Sequence, residues 1–249
     1  LIVVYSMKTL LLILLAANIN AQSLISNGSF EVYSTIPYAE GQINFATGWK
    51  DFGSADYFHE YGQIGLVNIP YSFIGTIVSY EGQACAGICT HMPNYPNYRE
   101  YIYYKLDTPM VSGNEYHISL YVFNNPSNII YGGLSSDNFG IALSMAKLQQ
   151  PILNNVPQLV QSGQLYGYGW KPVQFAFLAD SNYRFITIGN FTDDSNLSIQ
   201  FVDSASIQCV YYLIDNVTVD KVVPLGMEEH SQMAVKRKLN YNYLGQLVR

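Results

Sequence analysis

The 249 residues carry 18 acidic against 12 basic side chains, a net charge of −6, with 12% charged residues in all and 22 tyrosines. Lys and Arg so few and so thinly spread exclude a nucleic-acid partner, because phosphate neutralisation needs them clustered. With 49% hydrophobic residues there is ample core, which excludes disorder, and the length fits one domain of roughly 200 residues plus appendages.

Residues 1–21 read as a signal peptide. Met7 and Lys8 form a short positive start, Leu10 to Ala17 is a run of eight apolar residues, and Ala21 is a small residue suited to the position before the cut. Leu1 to Ser6 form an extension upstream of Met7. The apolar run is well short of the roughly 20 residues that span a bilayer, so a transmembrane segment is not expected. The chain is therefore expected to be secreted or held at the outer cell surface.

Strand signals fill residues 22–220. The clearest are 115–124, 172–179, 184–190 and 209–219, each a short run rich in Ile, Val, Phe, Tyr and Thr with period-two alternation. In the first, Tyr116, Ile118, Leu120 and Val122 share the core face, against His117, Ser119, Tyr121 and Phe123 on the other. In the last, Tyr212, Ile214, Val217 and Val219 cannot all share one face, which places a bulge at Asp215-Asn216. Weaker strands fall at 24–32, 74–80, 83–90, 98–106, 139–146 and 197–202. About ten strands are too many for one ordinary open sheet, so an all-β, two-layer antiparallel β-sandwich follows. Residues 149–163 carry Pro151 and Pro157 and read as loop. Beyond Asp220, residues 221–249 read as a polar linker with the cluster Lys236, Arg237 and Lys238, then an apolar stretch from Leu239 to Val248.

Cys85 and Cys89 on one strand face stand about 13 Å apart, too far for a mutual disulfide. Cys209 could pair with either, or all three are buried small hydrophobes. They have no His at zinc-ligand spacing.

The opening run Asn27-Gly28-Ser29-Phe30-Glu31 and the closing run Ile214-Asp215-Asn216-Val217 resemble the first and last strands of galactose-binding-like jelly-roll modules, among them several carbohydrate-binding modules. Between them stand, in matching order, Gly48-Trp49, Gly87-Ile88, Arg99 to Ile102, Gly113 with Tyr116, Trp170, and Thr187 to Phe191. This set, over about residues 24 to 220, resembles a domain of secreted and outer-membrane proteins of Bacteroidetes. Tyr241 to Gln246 resemble in part a type IX secretion sorting signal, with Asn242 in place of the usual acid and Gln246 in place of the Arg. That likeness implies an engagement with secretion machinery.

The jelly-roll resemblance implies that first and last strands lie side by side, with a structural Ca²⁺ held there by Glu31, Asp215 and backbone carbonyls. Hard carboxylate and carbonyl oxygens are what this ion takes. The alternative is that Glu31 is a solvated strand-end charge and Asp215 caps the bulge.

Sugar binders offer an aromatic ring for the CH face and polar groups for the hydroxyls. Three clusters have that make-up: Tyr57, Phe58, His59 and Tyr61; Tyr95, Tyr98, Arg99 and Tyr101; and Tyr166, Tyr168 and Trp170. Within them Tyr57, His59, Tyr61, Tyr95, Tyr98, Arg99, Tyr166 and Tyr168 are the candidate ligand-binding residues, while Trp49 and Trp170 are assigned to the core. Each cluster could equally be core or sheet cover.

No nucleophile elbow, His-Glu-x-x-His or phosphate loop occurs. A carboxylate pair drawn from Asp51, Asp56, Glu60, Glu81 and Glu100 would be the one route to a hydrolase. The expected function is an exported, non-catalytic carbohydrate-binding-like module whose partner is a glycan or cell-surface polysaccharide. The alternative is a structural or adhesive surface protein that binds another protein.

Overall fold

The computed structural model describes residues 23–124, 131–204 and 207–223. The expected signal peptide at 1–21 and the sorting-like tail lie outside the described residues. Residues Gln22–Lys221 form one compact unit.

The strands are β1 (Trp49–Phe52), β2 (Asp56–His59), β3 (Tyr71–Ser72), β4 (Gly75–Thr76), β5 (Ala84–His91), β6 (Tyr101–Lys105), β7 (Glu115–Phe123), β8 (Tyr131–Ser136), β9 (Phe139–Ser144), β10 (Leu159–Val160), β11 (Lys171–Leu178), β12 (Phe185–Asn190), β13 (Ile199–Phe201) and β14 (Ile207–Lys221). Helix among the described residues is confined to the short 3₁₀ turns Ile43–Phe45 and Ile152–Asn154. One sheet runs β1-β6-β12-β9-β10; the larger runs β11-β7-β14-β5-β2, with β8 beside β14 and β13 beside β8. These pairings are antiparallel except β8 on β14, which is parallel. The chain is thus an all-β, two-layer sandwich of jelly-roll type whose larger sheet is mixed.

Alternation explains the layers. Ile118, Leu120 and Val122 of β7, Ile186 and Ile188 of β12, and Tyr212 and Ile214 of β14 point between the sheets and are buried in one apolar cluster. Trp49 lies in that cluster, stacked on Phe30 with ring centroids 4.7 Å apart, and its indole N–H donates to the Asn27 carbonyl at 2.7 Å. A second cluster, with Phe58, Ile74, Cys89 and Tyr211, lies on the outer face of the larger sheet where residues 60–80 cover it. All three cysteines are free and buried. Burial pushes the Cys85 thiol up, and contact with Cys209 followed by burial does the same for Cys89. A thiol reagent is therefore expected to find almost no reactive cysteine in the folded protein and three after denaturation, since only the thiolate reacts.

The opening segment corrects one expectation. Residues 24–32 form a turn, not a strand, because the Asn27 side chain donates to the carbonyls of Val32 and Thr47 and accepts from the Val32 N–H, and Phe30 takes a φ of 63°. The segment still lies along β14: Leu24 N–H donates to Val219 O at 2.8 Å, and Val217 N–H to Gly28 O at 2.9 Å. In residues 74–80 only Gly75–Thr76 pairs as strand. At Asp215-Asn216 the ladder with β7 shifts register and Asn216 adopts a φ of 47°, so the bulge stands where the broken alternation placed it.

Candidate functional site

The outer face of the larger sheet is only half covered. Over β7, β11 and the end of β14, outward residues alternate with buried ones and stay in contact with solvent. Register places Ser119 between Gln174 of β11 and Thr218 of β14, and His117 between Ala176 and Asp220. The Ser119 and Thr218 hydroxyls are 3.0 Å apart and share a hydrogen bond. The result is a mainly polar row, His117, Ser119, Gln174, Thr218 and Asp220, carried on paired strands.

Aromatic rings close one end of this row. Tyr121 of β7 stacks on Tyr80 with centroids 3.5 Å apart and planes 14° apart. Trp170, just before β11, meets Tyr80 edge-on at 6.1 Å and rests on Phe123 at 5.5 Å. Its indole N–H donates to Val78 O at 3.2 Å, which fixes the ring while leaving it half-buried. Tyr80 is 40% exposed. Trp170 therefore stands at the surface, and not inside the core as its residue type implied.

The candidates named from sequence do not meet in one place. Tyr57 has no exposed surface and donates to the Phe30 carbonyl, so its ring offers no face to a ligand. His59 is buried between the rings of Tyr33 and Tyr61, burial lowers its pKa, and its Nδ1 accepts from the Tyr61 N–H. Tyr61 beside it is exposed. In the second cluster Tyr95 is exposed and Tyr98 half-buried, but the Arg99 guanidinium is spent on Asp194 at 2.8 Å and the carbonyls of Tyr98 and Thr192. Tyr57, His59 and Arg99 are thus structural: the covering of β2 on both faces and the Asp194 loop, which bury them, were not visible in local composition. Tyr168 is largely exposed, and the Tyr166 hydroxyl accepts from Gln200 at 3.0 Å.

A cavity of about 230 Å³ opens at the β2 end of the same sheet, where the chain crosses to β6. Two buried carboxylates reach it. Asp56 accepts from the Tyr211 hydroxyl and from Gly41 N–H at 2.7 Å. Glu100 accepts from the hydroxyls of Ser54 and Tyr98 and from Cys89 N–H at 2.7 Å. Burial pushes the Asp56 carboxyl up to about 7, against the Tyr211 and Gly41 bonds and with help from the charges of Glu100 and Glu40. Both acids were among the candidates for a carboxylate pair; the fold brings these two to one cavity.

Glu31 and Asp215 grip the segment 80–84 from two sides. Asp215 is fully buried and accepts from the N–H groups of Tyr80 at 2.8 Å, Glu81 at 3.1 Å and Asn216 at 2.6 Å. Glu31 Oε1 accepts from Gln83 at 2.9 Å and Ala84 at 3.0 Å. Gly82 makes the approach possible, since a Cβ there would lie 2.4 Å from Glu31 Oε1 and its φ is +62°. Burial raises the Asp215 carboxyl to about 7; its three N–H partners oppose this and the Glu31 charge adds to it. Among the described residues the ion pairs are those of Asp194 with Arg99 and His91, so no side-chain cation offsets Glu31 and Asp215. Two uncompensated carboxylates fit Ca²⁺ in charge and hardness. No third His, Cys, Asp or Glu joins them among the described residues, so the remaining oxygens would come from backbone.

No protein-family model matches the sequence, and no curated protein is similar to it. Among solved structures, the chain is similar to the CBM22-1 xylan-binding domain of Paenibacillus barcinonensis Xyn10C, with 14% identity over 81% of this chain and 96% of that one and a TM-score of 0.42. It is similar also to TmCBM61 in complex with β-1,4-galactotriose, with 9% identity over 81% and 99% of the two chains and a TM-score of 0.41. A third likeness is to the Clostridium thermocellum xylanase 10B CBM22-1-GH10 modules complexed with xylohexaose, at 12% identity and a TM-score of 0.39. It spans 70% of this chain and about a quarter, 26%, of that one.

Proposed function

We propose that this chain is an exported, non-catalytic carbohydrate-binding module that lays a neutral polysaccharide along the open half of its larger sheet. The observation that carries the reading is the juxtaposition of the Tyr80, Tyr121 and Trp170 rings with the polar row His117, Ser119, Gln174 and Thr218. Rings take the CH faces of sugars and the row takes their hydroxyls, with little ordering cost because both stand on strands. In the same reading the sequence before residue 22 directs export, Ca²⁺ on Glu31 and Asp215 ties the opening segment to β14, and the tail addresses the protein to secretion machinery at the outer surface. Among the described residues no helix is long and apolar enough to cross a membrane.

Affinity electrophoresis in gels cast with xylan, β-1,4-galactan or peptidoglycan tests the reading. The wild type is expected to be retarded by at least one of these polymers. Trp170→Ala and Tyr121→Ala are each expected to weaken retardation about tenfold, on the order of 1.4 kcal/mol, while melting near the wild-type temperature. Retardation unchanged in both variants, or absent with every polymer, overturns it.

A further inference from the structure

The cavity at the β2 end plays no part in the open face, and its walls have a different chemistry. Asp56 and Glu100 are 4% exposed each, and Glu40 stands exposed at the mouth. Phe73, Tyr98, Tyr211 and Met92 line the same cavity. Phe73 meets the Tyr211 ring edge-on at 6.3 Å and lies parallel to Phe58 at 6.0 Å, so the aromatic wall is fixed from behind. The Tyr211 and Tyr98 hydroxyls point at the carboxylates and donate to them, which orients both acids.

A buried carboxylate that keeps its charge is paired with a cation or holds metal; otherwise it takes up a proton. Here no Lys, Arg or His forms an ion pair with Asp56, Glu100 or Glu40 among the described residues, whose ion pairs both sit on Asp194. No group of three metal-ligating side chains forms there either. What the cavity offers is carboxylates beside aromatic side chains, the combination that attracts an ammonium group by charge and by the ring quadrupole together. At about 230 Å³ it is smaller than the roughly 300 Å³ at which drug-sized sites begin, so it takes a single residue or headgroup and not a stretch of polymer.

We propose that this cavity is a second binding site, specific for a protonated amino sugar, with the ammonium set between Asp56, Glu100 and the ring of Phe73. A sugar is chosen over a lysine side chain because the two carboxyls reach the cavity from separate segments, one in β2 and one preceding β6, and a ring bearing both an amine and hydroxyls has a group for each. The choice of a sugar as scaffold rests on the glycan-binding reading; the need for an ammonium does not.

Isothermal titration of the purified chain at neutral pH with D-glucosamine, N-acetyl-D-glucosamine and D-glucose tests this directly. Glucosamine is expected to bind at least about tenfold more tightly than either neutral sugar. Asp56→Asn, which keeps an acceptor for Tyr211, and Phe73→Leu, which keeps apolar volume, are each expected to lower the glucosamine affinity by about tenfold or more. Trp170→Ala is expected to leave it unchanged, so loss of the open-face reading and loss of this one are told apart. Equal affinity for the three sugars, or no heat with glucosamine, overturns the proposal. So does tighter binding of Nα-acetyl-lysine amide than of glucosamine, which would make the partner a protein.

Discussion

Replacing Asp56 by Asn is expected to raise the melting temperature by several degrees at pH 8 and to leave it nearly unchanged below about pH 4. The carboxyl is buried and pushed up to about 7, against 3.8 for an exposed one. Between those values the folded state holds a proton that the unfolded state has lost. Unfolding therefore becomes easier as pH rises through this window, the reverse of the usual carboxylate. At 1.36 kcal/mol per pKa unit, the full charge above pH 7 costs the fold about 4 kcal/mol at most. For a domain of this size that is a shift on the order of ten degrees. Asn never bears that charge, so the gap between variant and wild type should open from about pH 4 to pH 7 and stay constant above it. His59 works in the other direction: burial lowers its pKa, so its contribution is present above about 6.5 and lost as acid charges it in the unfolded chain. The comparison of variant with wild type cancels that background. A gap that is constant with pH would show that Asp56 is ionised throughout.

Asp215 has the same raised value of about 7 and gives a second arm to the measurement. If Ca²⁺ sits between Glu31 and Asp215, millimolar calcium should raise the melting temperature at pH 8, where Asp215 is charged, and much less at pH 5, where it holds a proton. Asp215→Asn should abolish the calcium effect, and Asp56→Asn should preserve it, because the two acids serve different parts of the sheet. Calcium without effect on the wild type at pH 8 would return both carboxylates to their N–H partners as purely structural acceptors.

The layers of this fold were readable because alternation is a local signal: β7 sorts Ile118, Leu120 and Val122 from His117, Ser119 and Tyr121 within nine residues. The bulge at Asp215 was readable for the same reason, as a break in alternation. Short strands such as β1, β2 and β10 carry too few residues for a period to register. The opening segment misled because Ile25, Phe30 and Val32 look like strand, whereas the Asn27 side chain satisfies the backbone locally as a turn. Composition also could not tell Tyr57 from Tyr61: one lies in β2, whose four residues are all buried, and donates to Phe30 in the core, while the other lies just beyond the strand and faces water. The open face was half visible. Tyr121 had been placed on the non-core side of its strand, but its partners Tyr80 and Trp170 come from loops 41 and 49 residues away in sequence, and only the paired sheet brings them together. The cavity needed the same long-range closure, since Asp56 and Glu100 meet only when β2 and the approach to β6 are both in place.

Gly28→Ala is expected to be among the most damaging single substitutions, at about 3 kcal/mol or more, because the added methyl has no room to relax. A Cβ at this position would lie 1.8 Å from the Val217 carbonyl oxygen and 2.8 Å from its carbon, both backbone atoms of β14. To make room, the opening segment must move off the strand, which breaks the Val217-to-Gly28 bond and loosens Phe30 and Trp49 from the core. Gly113→Ala isolates this cause. Gly113, unlike Gly28, has a positive φ, +85°, and nothing lies within 4 Å of its would-be Cβ, so its cost should stay near the ~1–2 kcal/mol of a left-handed backbone alone. Urea denaturation of the two variants separates the mechanisms: a large drop in midpoint for Gly28→Ala beside a small one for Gly113→Ala shows that close contact sets the cost. Because Glu31 follows Gly28 by three residues, the same displacement should carry that carboxylate away from Asp215. Any calcium stabilisation at pH 8 should then vanish in Gly28→Ala and survive in Gly113→Ala, tying the ion to the seam between the opening segment and the closing strand.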